Sequence, residues 1–196
     1  MQQTLKYLKD IPRELNANNI DKAIRDYIKT LEDIPLHLQS KDFLELMYRL
    51  KREKLDKGPY KGVTLFEASN RIMTDLTILF GVKSLLASNI PAISYEKYTV
   101  ELGNESKHTH DIEAQHNGFS LIGEAFNVAP SFFPGKKNAS LKKLRETRNT
   151  DTTKQLLIMY NADAHGENKE PKQNGNEFYL PVMIDLSVEN HLNSSL

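Results

Sequence analysis

Three carboxylates, Asp111, Glu113 and Glu124, flank the dipeptide Asn117-Gly118 in a stretch that alternates apolar and polar residues. Asn-Gly between two alternating runs marks a β-hairpin, because a type I′ turn needs positive φ at both central positions. The two-residue loop pairs His116 with Phe119 and, counting outward, sets Asp111 directly opposite Glu124. Cross-strand partners have Cβ atoms roughly 4.5–5.5 Å apart, and like charges at that distance destabilise a sheet. Alternation then places Thr109, Asp111, Glu113, Ile122, Glu124 and Phe126 on one face, and His110, Ile112, Ala114, Leu121, Gly123 and Ala125 on the other. Acids held this close need compensation. It can come from a nearby Lys or Arg, from a shared proton that raises one pKa, or from a hard divalent cation that takes oxygen ligands. The alternative is a solvated acidic face, since antiparallel sheets commonly turn one charged face to water.

The elements that must position these residues follow from the periodicity. Ile20, Ala23, Ile24, Tyr27, Ile28 and Leu31 form the stripe of an amphipathic helix. A second helix, with Ser40 as its expected N-cap, carries Phe43, Leu44, Leu46, Met47 and Leu50 and stops at Lys57-Gly58-Pro59. Residues 63–88 predict a buried helix whose apolar surface is broken by one polar line, Glu67, Asn70, Arg71 and Thr74. That line either pairs internally, as the four-residue spacing of Glu67 and Arg71 allows, or borders a site. After Pro91 the period changes to two. Strands are expected over 95–102, 106–116 and 119–127, then a loop with Pro130, Pro134 and Gly135, and a basic helix near 138–148. A strand over 155–160, a polar loop over 162–176, a strand over 177–186 and a frayed tail complete the order. The class is α+β (mixed α/β), with an N-terminal helical segment over 1–62 and a core over 63–196 in one compact unit.

Asp111, a turn, Glu124 on the next strand, then a helix and a strand resemble the core of the PD-(D/E)xK nuclease superfamily, which includes type II restriction endonucleases. The resemblance spans residues 63–186 and implies a mixed central sheet flanked by helices. It implies that Asp111 and Glu124 bind Mg²⁺, with Mn²⁺ able to substitute, and that Glu113 is an outer-sphere ligand or third carboxylate. Glu67 would fill the place of the Glu that some members supply from the helix before the sheet. Two positions depart from the pattern. His110 stands where a Pro precedes the Asp, and Phe126 stands where a Lys follows the Glu. Members that relocate this lysine draw it from the following helix, which makes Lys136, Lys137, Lys142 and Lys143 candidates. Lys137 is the first choice, because a helix starting near Asn138 would hold it at the mouth of the sheet. The implied activity is Mg²⁺-dependent hydrolysis of phosphodiesters in double-stranded DNA, in the manner of a restriction enzyme acting as a homodimer. Were no lysine to reach, the alternative is a catalytically inactive nucleic-acid- or partner-binding domain of the same fold. Lys136, Lys142, Lys143, Arg145 and Arg148 suit a phosphate backbone, or else form a solvated helix face.

Composition narrows the rest. Net charge is zero, so nucleic-acid binding must come from a local patch. The absence of cysteine excludes a disulfide scaffold or thiolate metal site. No apolar run has the length of a membrane span, and the charged N-terminal residues lack an apolar signal core, so a cytoplasmic location is expected. His108-Thr109-His110 with Glu113 resembles a cupin metal motif, but the spacing departs from it and the first ninety residues read as helical. Asp163-Ala164-His165 reads as a loop feature. Phosphate-binding glycine loops and Gly-x-Ser-x-Gly are missing, which argues against ATP hydrolysis, dinucleotide redox chemistry and serine hydrolysis.

Overall fold

One mixed sheet, apolar on both faces, organises the chain; the computed structural model describes residues 8–32, 34, 40–103, 110–166, 171 and 173–186. Its strands are β1 (Glu14–Asn16), β2 (Lys97–Val100), β3 (Ile112–His116), β4 (Phe119–Phe126), β5 (Lys154–Asn161) and β6 (Glu177–Val182), side by side in chain order. Neighbours from β1 to β4 run antiparallel, whereas β4, β5 and β6 run parallel. The helices are α1 (Ile20–Glu32), α2 (Phe43–Arg52), α3 (Leu65–Leu86) and α4 (Phe133–Arg148). The protein is therefore α+β, with helices on both faces of the sheet. Among the described residues no helix is long and apolar enough to cross a membrane.

Strand β4 shows why both faces need cover. Leu121 and Ala125 join the core that α1 and α3 share with the sheet, while Ile122 and Phe126 point into a second core under α4. Gly123 lies between them, where a Cβ would come within 2.5 Å of Ile112 Cγ2 and 3.0 Å of the Leu157 carbonyl oxygen. Both neighbouring strands hold β4 in place, so neither contact can relax cheaply. Gly123→Ala is expected to destabilise the fold by about 2 kcal/mol through overpacking. Urea unfolding checks this, and an unchanged midpoint would show that β4 shifts freely.

The hairpin forms as the turn residues dictate. Asn117 has φ 48° and Gly118 φ 84°, and the ladder runs from Ile112↔Gly123 to His116↔Phe119. Other boundaries differ. The segment over 1–62 is not wholly helical: β1 adds an edge strand by pairing Leu15 with Tyr98, and α1 packs in the same core as α3. The N-cap of α2 is Asp42, whose Oδ1 accepts from the Glu45 amide at 2.8 Å; Ser40 bonds the Asp42 carbonyl instead. Helix α4 begins at Phe133, earlier than Asn138, because Pro134 occupies its first turn, where a missing N–H costs nothing. That earlier start resets which lysines face the sheet.

Candidate active site

The polar line on α3 meets the far end of the hairpin across a cavity of about 750 Å³. Glu67, Asn70, Arg71 and Thr74 form one wall; Glu101, Asp111 and Glu124 come from the sheet, and Lys136 and Lys143 from α4. The cavity also takes in Ala125 through Val128, so it lies at the carboxyl end of β4, where α/β sheets commonly place ligands.

Two short links fix the acids. Asp111 lies just before β3, and its Oδ2 accepts from the Ala125 amide at 2.8 Å, which anchors it beside Glu124. Glu124 is buried in β4, and its Oε1 accepts from Lys143 Nζ at 2.8 Å and from His110 Nδ1 at 3.2 Å. The Asp111 carboxyl is pushed up to about 6, chiefly by burial. The Ala125 amide opposes this, the Glu124 charge adds to it, and Lys143 and Lys136 oppose it in turn. The paired ladder stops at Ile112↔Gly123, short of the expected Asp111–Glu124 pair, but the two acids still lie side by side; of the compensations such neighbours require, a lysine is present and one acid is displaced towards its neutral form. No family model, curated protein or solved structure matches the chain.

Several expected placements change. Lys137 does not reach the acids; its ammonium sits 6.0 Å from the Phe133 ring. With α4 starting at Phe133, residues 136, 139, 140 and 143 share the face towards the cavity, and Lys137 falls to one side. The α4 lysine that meets the acids is Lys143, not Lys137. Phe126 is buried against Phe133 and Tyr160, with ring centroids 6.1 and 6.3 Å away. A lysine there would place its charge in an apolar core. Glu113 is not with Asp111 and Glu124. It pairs with Ile122, nearer the turn, and lines a separate cavity with Thr99, Ser120 and Lys154. His110 does not point away from the acids, because the ladder begins only at Ile112 and strict alternation does not extend back to it. His108 and Thr109 lie outside the described residues.

The basic residues of α4 divide. Lys136 and Lys143 line the cavity, but Arg145 is committed to Glu177 through two bonds of 2.6 and 2.8 Å, pinning α4 to β6. Lys142 is exposed beside Glu146 at 3.9 Å, and Arg148 is half-buried at the helix end. Glu67 does both things its spacing allows: it bonds Arg71 at 2.6 Å and lines the cavity. Asp163 accepts from Asn161 Nδ2 at 2.7 Å, as a loop residue would.

Two acids of the cavity escape a reading of the sequence. Glu101 is buried past the end of β2, and its amide donates to the Asp111 carbonyl at 3.0 Å. Only the pairing of β2 with β3 brings it there. Asp75 is buried on α3 and accepts from the Tyr27 hydroxyl at 2.8 Å, the Tyr60 hydroxyl and the Gly103 amide at 3.0 Å. A lone acid inside the most apolar helix was the available signal. Among the described residues no three His, Asp or Glu side chains converge to hold a metal ion by themselves. Mg²⁺ does not demand that, since it commonly takes one or two carboxylates and keeps waters or substrate phosphate in its other positions. The oxygen donors of Asp111 and Glu124 fit such a hard cation.

Proposed function

We propose that this protein is a Mg²⁺-dependent DNA endonuclease of the PD-(D/E)xK kind that hydrolyses phosphodiester bonds in double-stranded DNA. The observation that carries this reading is the Lys143 ammonium 2.8 Å from Glu124, with Asp111 bonded to the amide of the very next residue. Asp, Glu and Lys thus meet in one cavity although the Lys is absent from its usual place at Phe126. Asp111 and Glu124 would hold the cation, which when bound supplies Lewis-acid polarisation of the phosphate and offsets its developing charge. Lys143 sets a positive charge beside Glu124, where water would attack. Lys136, on the same face of α4, supplies a second cation for the phosphate backbone. The same lysine contact favours an enzyme over an inert binding domain. A duplex has two strands, so cutting both calls for two copies of the chain, which sedimentation would reveal as a homodimer.

Wild-type protein is expected to cleave plasmid or phage DNA in Mg²⁺ or Mn²⁺ and to stop when EDTA is added. No cleavage of any DNA, methylated or unmethylated, in either metal would overturn the reading. The placement of the lysine has its own check. Lys143→Met should lower cleavage on the order of 10²-fold, the scale of a lost proton-transfer or charge-stabilising group, whereas Lys137→Met should stay near wild type. The reverse order in a plasmid-nicking assay would return the role to Lys137.

A further inference from the structure

Glu124 offers two carboxylate oxygens, and the protein treats them differently. Oε1 receives two donors from opposite directions in the chain, Lys143 from α4 and His110 from the residues just before β3. Among the described residues Oε2 accepts no hydrogen bond. The His110 ring is buried, with 4% of the residue exposed, so its contact is not a passing one at the surface. A carboxylate oxygen accepts, so the ring nitrogen facing Oε1 is the one that donates a proton to it. The other nitrogen, Nε2, is buried and has no hydrogen-bond partner among the described residues. Were the proton on Nε2, a donor would be stranded there and two lone pairs would face each other at Nδ1 and Oε1. The Nδ1–H tautomer supplies the donor that Oε1 accepts and leaves an acceptor, not a donor, unpaired at Nε2.

We infer that His110 is a positioning residue for the proposed reaction: its Nδ1–H, with Lys143, saturates Oε1 of Glu124 and leaves Oε2 as the oxygen that binds the cation. The inference rests on the nuclease reading of this cavity. A glutamate has three side-chain torsions, and one ammonium on a flexible, half-exposed lysine cannot fix them. A buried imidazole can, because the neighbouring residue, Asp111, is itself tied to β4 through the Ala125 amide. His110 and Asp111 therefore form one short rigid piece that delivers the first carboxylate and orients the second. The arrangement parallels the outer-shell bonds that orient ligating carboxylates in metal sites.

The test pairs two variants in the full-length protein. His110→Leu fills the buried space without a donor; His110→Asn keeps an N–H near the place of Nδ1. Mn²⁺ affinity is measured by titration calorimetry, and kcat and KM on a cleavable DNA. His110→Leu should lower Mn²⁺ affinity and kcat by about 10- to 100-fold, with KM for DNA unchanged, and His110→Asn should restore both. Two near-normal variants, or two equally impaired ones, would overturn the inference. A long-range ¹H–¹⁵N spectrum of the wild type needs no variant, and a proton on Nε2 of His110 would overturn it too. If Asp111→Asn loses Mn²⁺ binding and cleavage while His110→Leu keeps both, only the role of His110 fails. If the wild type neither binds Mn²⁺ nor cleaves DNA, the nuclease reading falls and this inference falls with it.

Discussion

Asp111→Asn is expected to reduce Mg²⁺-dependent DNA cleavage on the order of 10³-fold or more while leaving the fold and DNA binding intact. The substitution is nearly isosteric, and the amide oxygen can still accept from the Ala125 N–H that anchors the side chain at 2.8 Å. What disappears is the charge, and with it the metal-holding role proposed for the two neighbouring carboxylates. Removing a single preorganised group that stabilises transition-state charge already costs 10² to 10³ in rate, and a metal ligand lost outright costs at least that. The fold should tolerate the change well, since burial already pushes the Asp111 carboxyl up to about 6 and the Glu124 charge adds to the rise. Neutralising it relieves that repulsion. Three measurements check the result: plasmid cleavage in Mg²⁺, DNA retention in a mobility shift, and a thermal melt. Cleavage by Asp111→Asn within tenfold of wild type would remove Asp111 from the proposed metal site. Loss of DNA binding along with cleavage would point instead to a damaged fold.

How far the residues alone lead depends on how local the determining physics is. Asn117-Gly118 specifies its turn through its own φ angles, so the hairpin and its pairing were legible. Beyond the last paired residue the side chains no longer alternate between faces. His110 and Asp111 sit before the ladder, where alternation no longer governs direction, and His110 turned out to contact Glu124. The helix after the hairpin was readable as basic, but its lysine register hinges on Pro134, a helix-starting residue that looks like a loop residue beside Pro130 and Gly135. Starting the helix at Phe133 puts Lys137 inside the helix and leaves Lys143 as the ammonium that meets Glu124. Strand β1 is three residues long and has no period to detect; it exists because β2 offers an edge. Glu101 and Asp75 join the cavity through long-range pairing and packing, information that no local spacing carries. The polar line of α3 lies between these cases, because its spacing gave the face and only the sheet determined what that face borders.

Asp75→Ala is expected to destabilise the protein by about 3 kcal/mol at pH 5, because it leaves buried donors without their acceptor. The Asp75 carboxyl takes bonds from Tyr27 on α1, from Tyr60 in the loop after α2 and from the Gly103 amide beyond β2. The two hydroxyls lie 3.4 Å apart and can bond each other, which relieves one of them. The Gly103 amide and the remaining hydroxyl stay buried and unpaired, at roughly 1–3 kcal/mol each. Asp75→Asn keeps an acceptor oxygen and should cost less. The pH dependence separates the carboxylate's charge from its hydrogen bonds. Burial raises the carboxyl to about 6 against the pull of its three donors, so between about pH 4 and 6 the folded state binds more protons than the unfolded one. Stability from this group is then fully present below its unfolded value near 4 and is lost as pH rises through about 6. Asp75→Asn, uncharged throughout, should gain on wild type across that window by on the order of 3 kcal/mol and stay level above it. Urea unfolding of the two proteins from pH 4 to 8 checks the difference. A flat difference, or one of opposite sign, would mean that the tyrosine hydroxyls stabilise the ionised form outright. Either sign bears on the site: Asp75 ties Gly103 two residues after Glu101, whose amide bonds the carbonyl of Asp111. On the proposed nuclease reading, loosening Asp75 should therefore lower cleavage as well as stability, through its tie to Gly103 and the Glu101–Asp111 link.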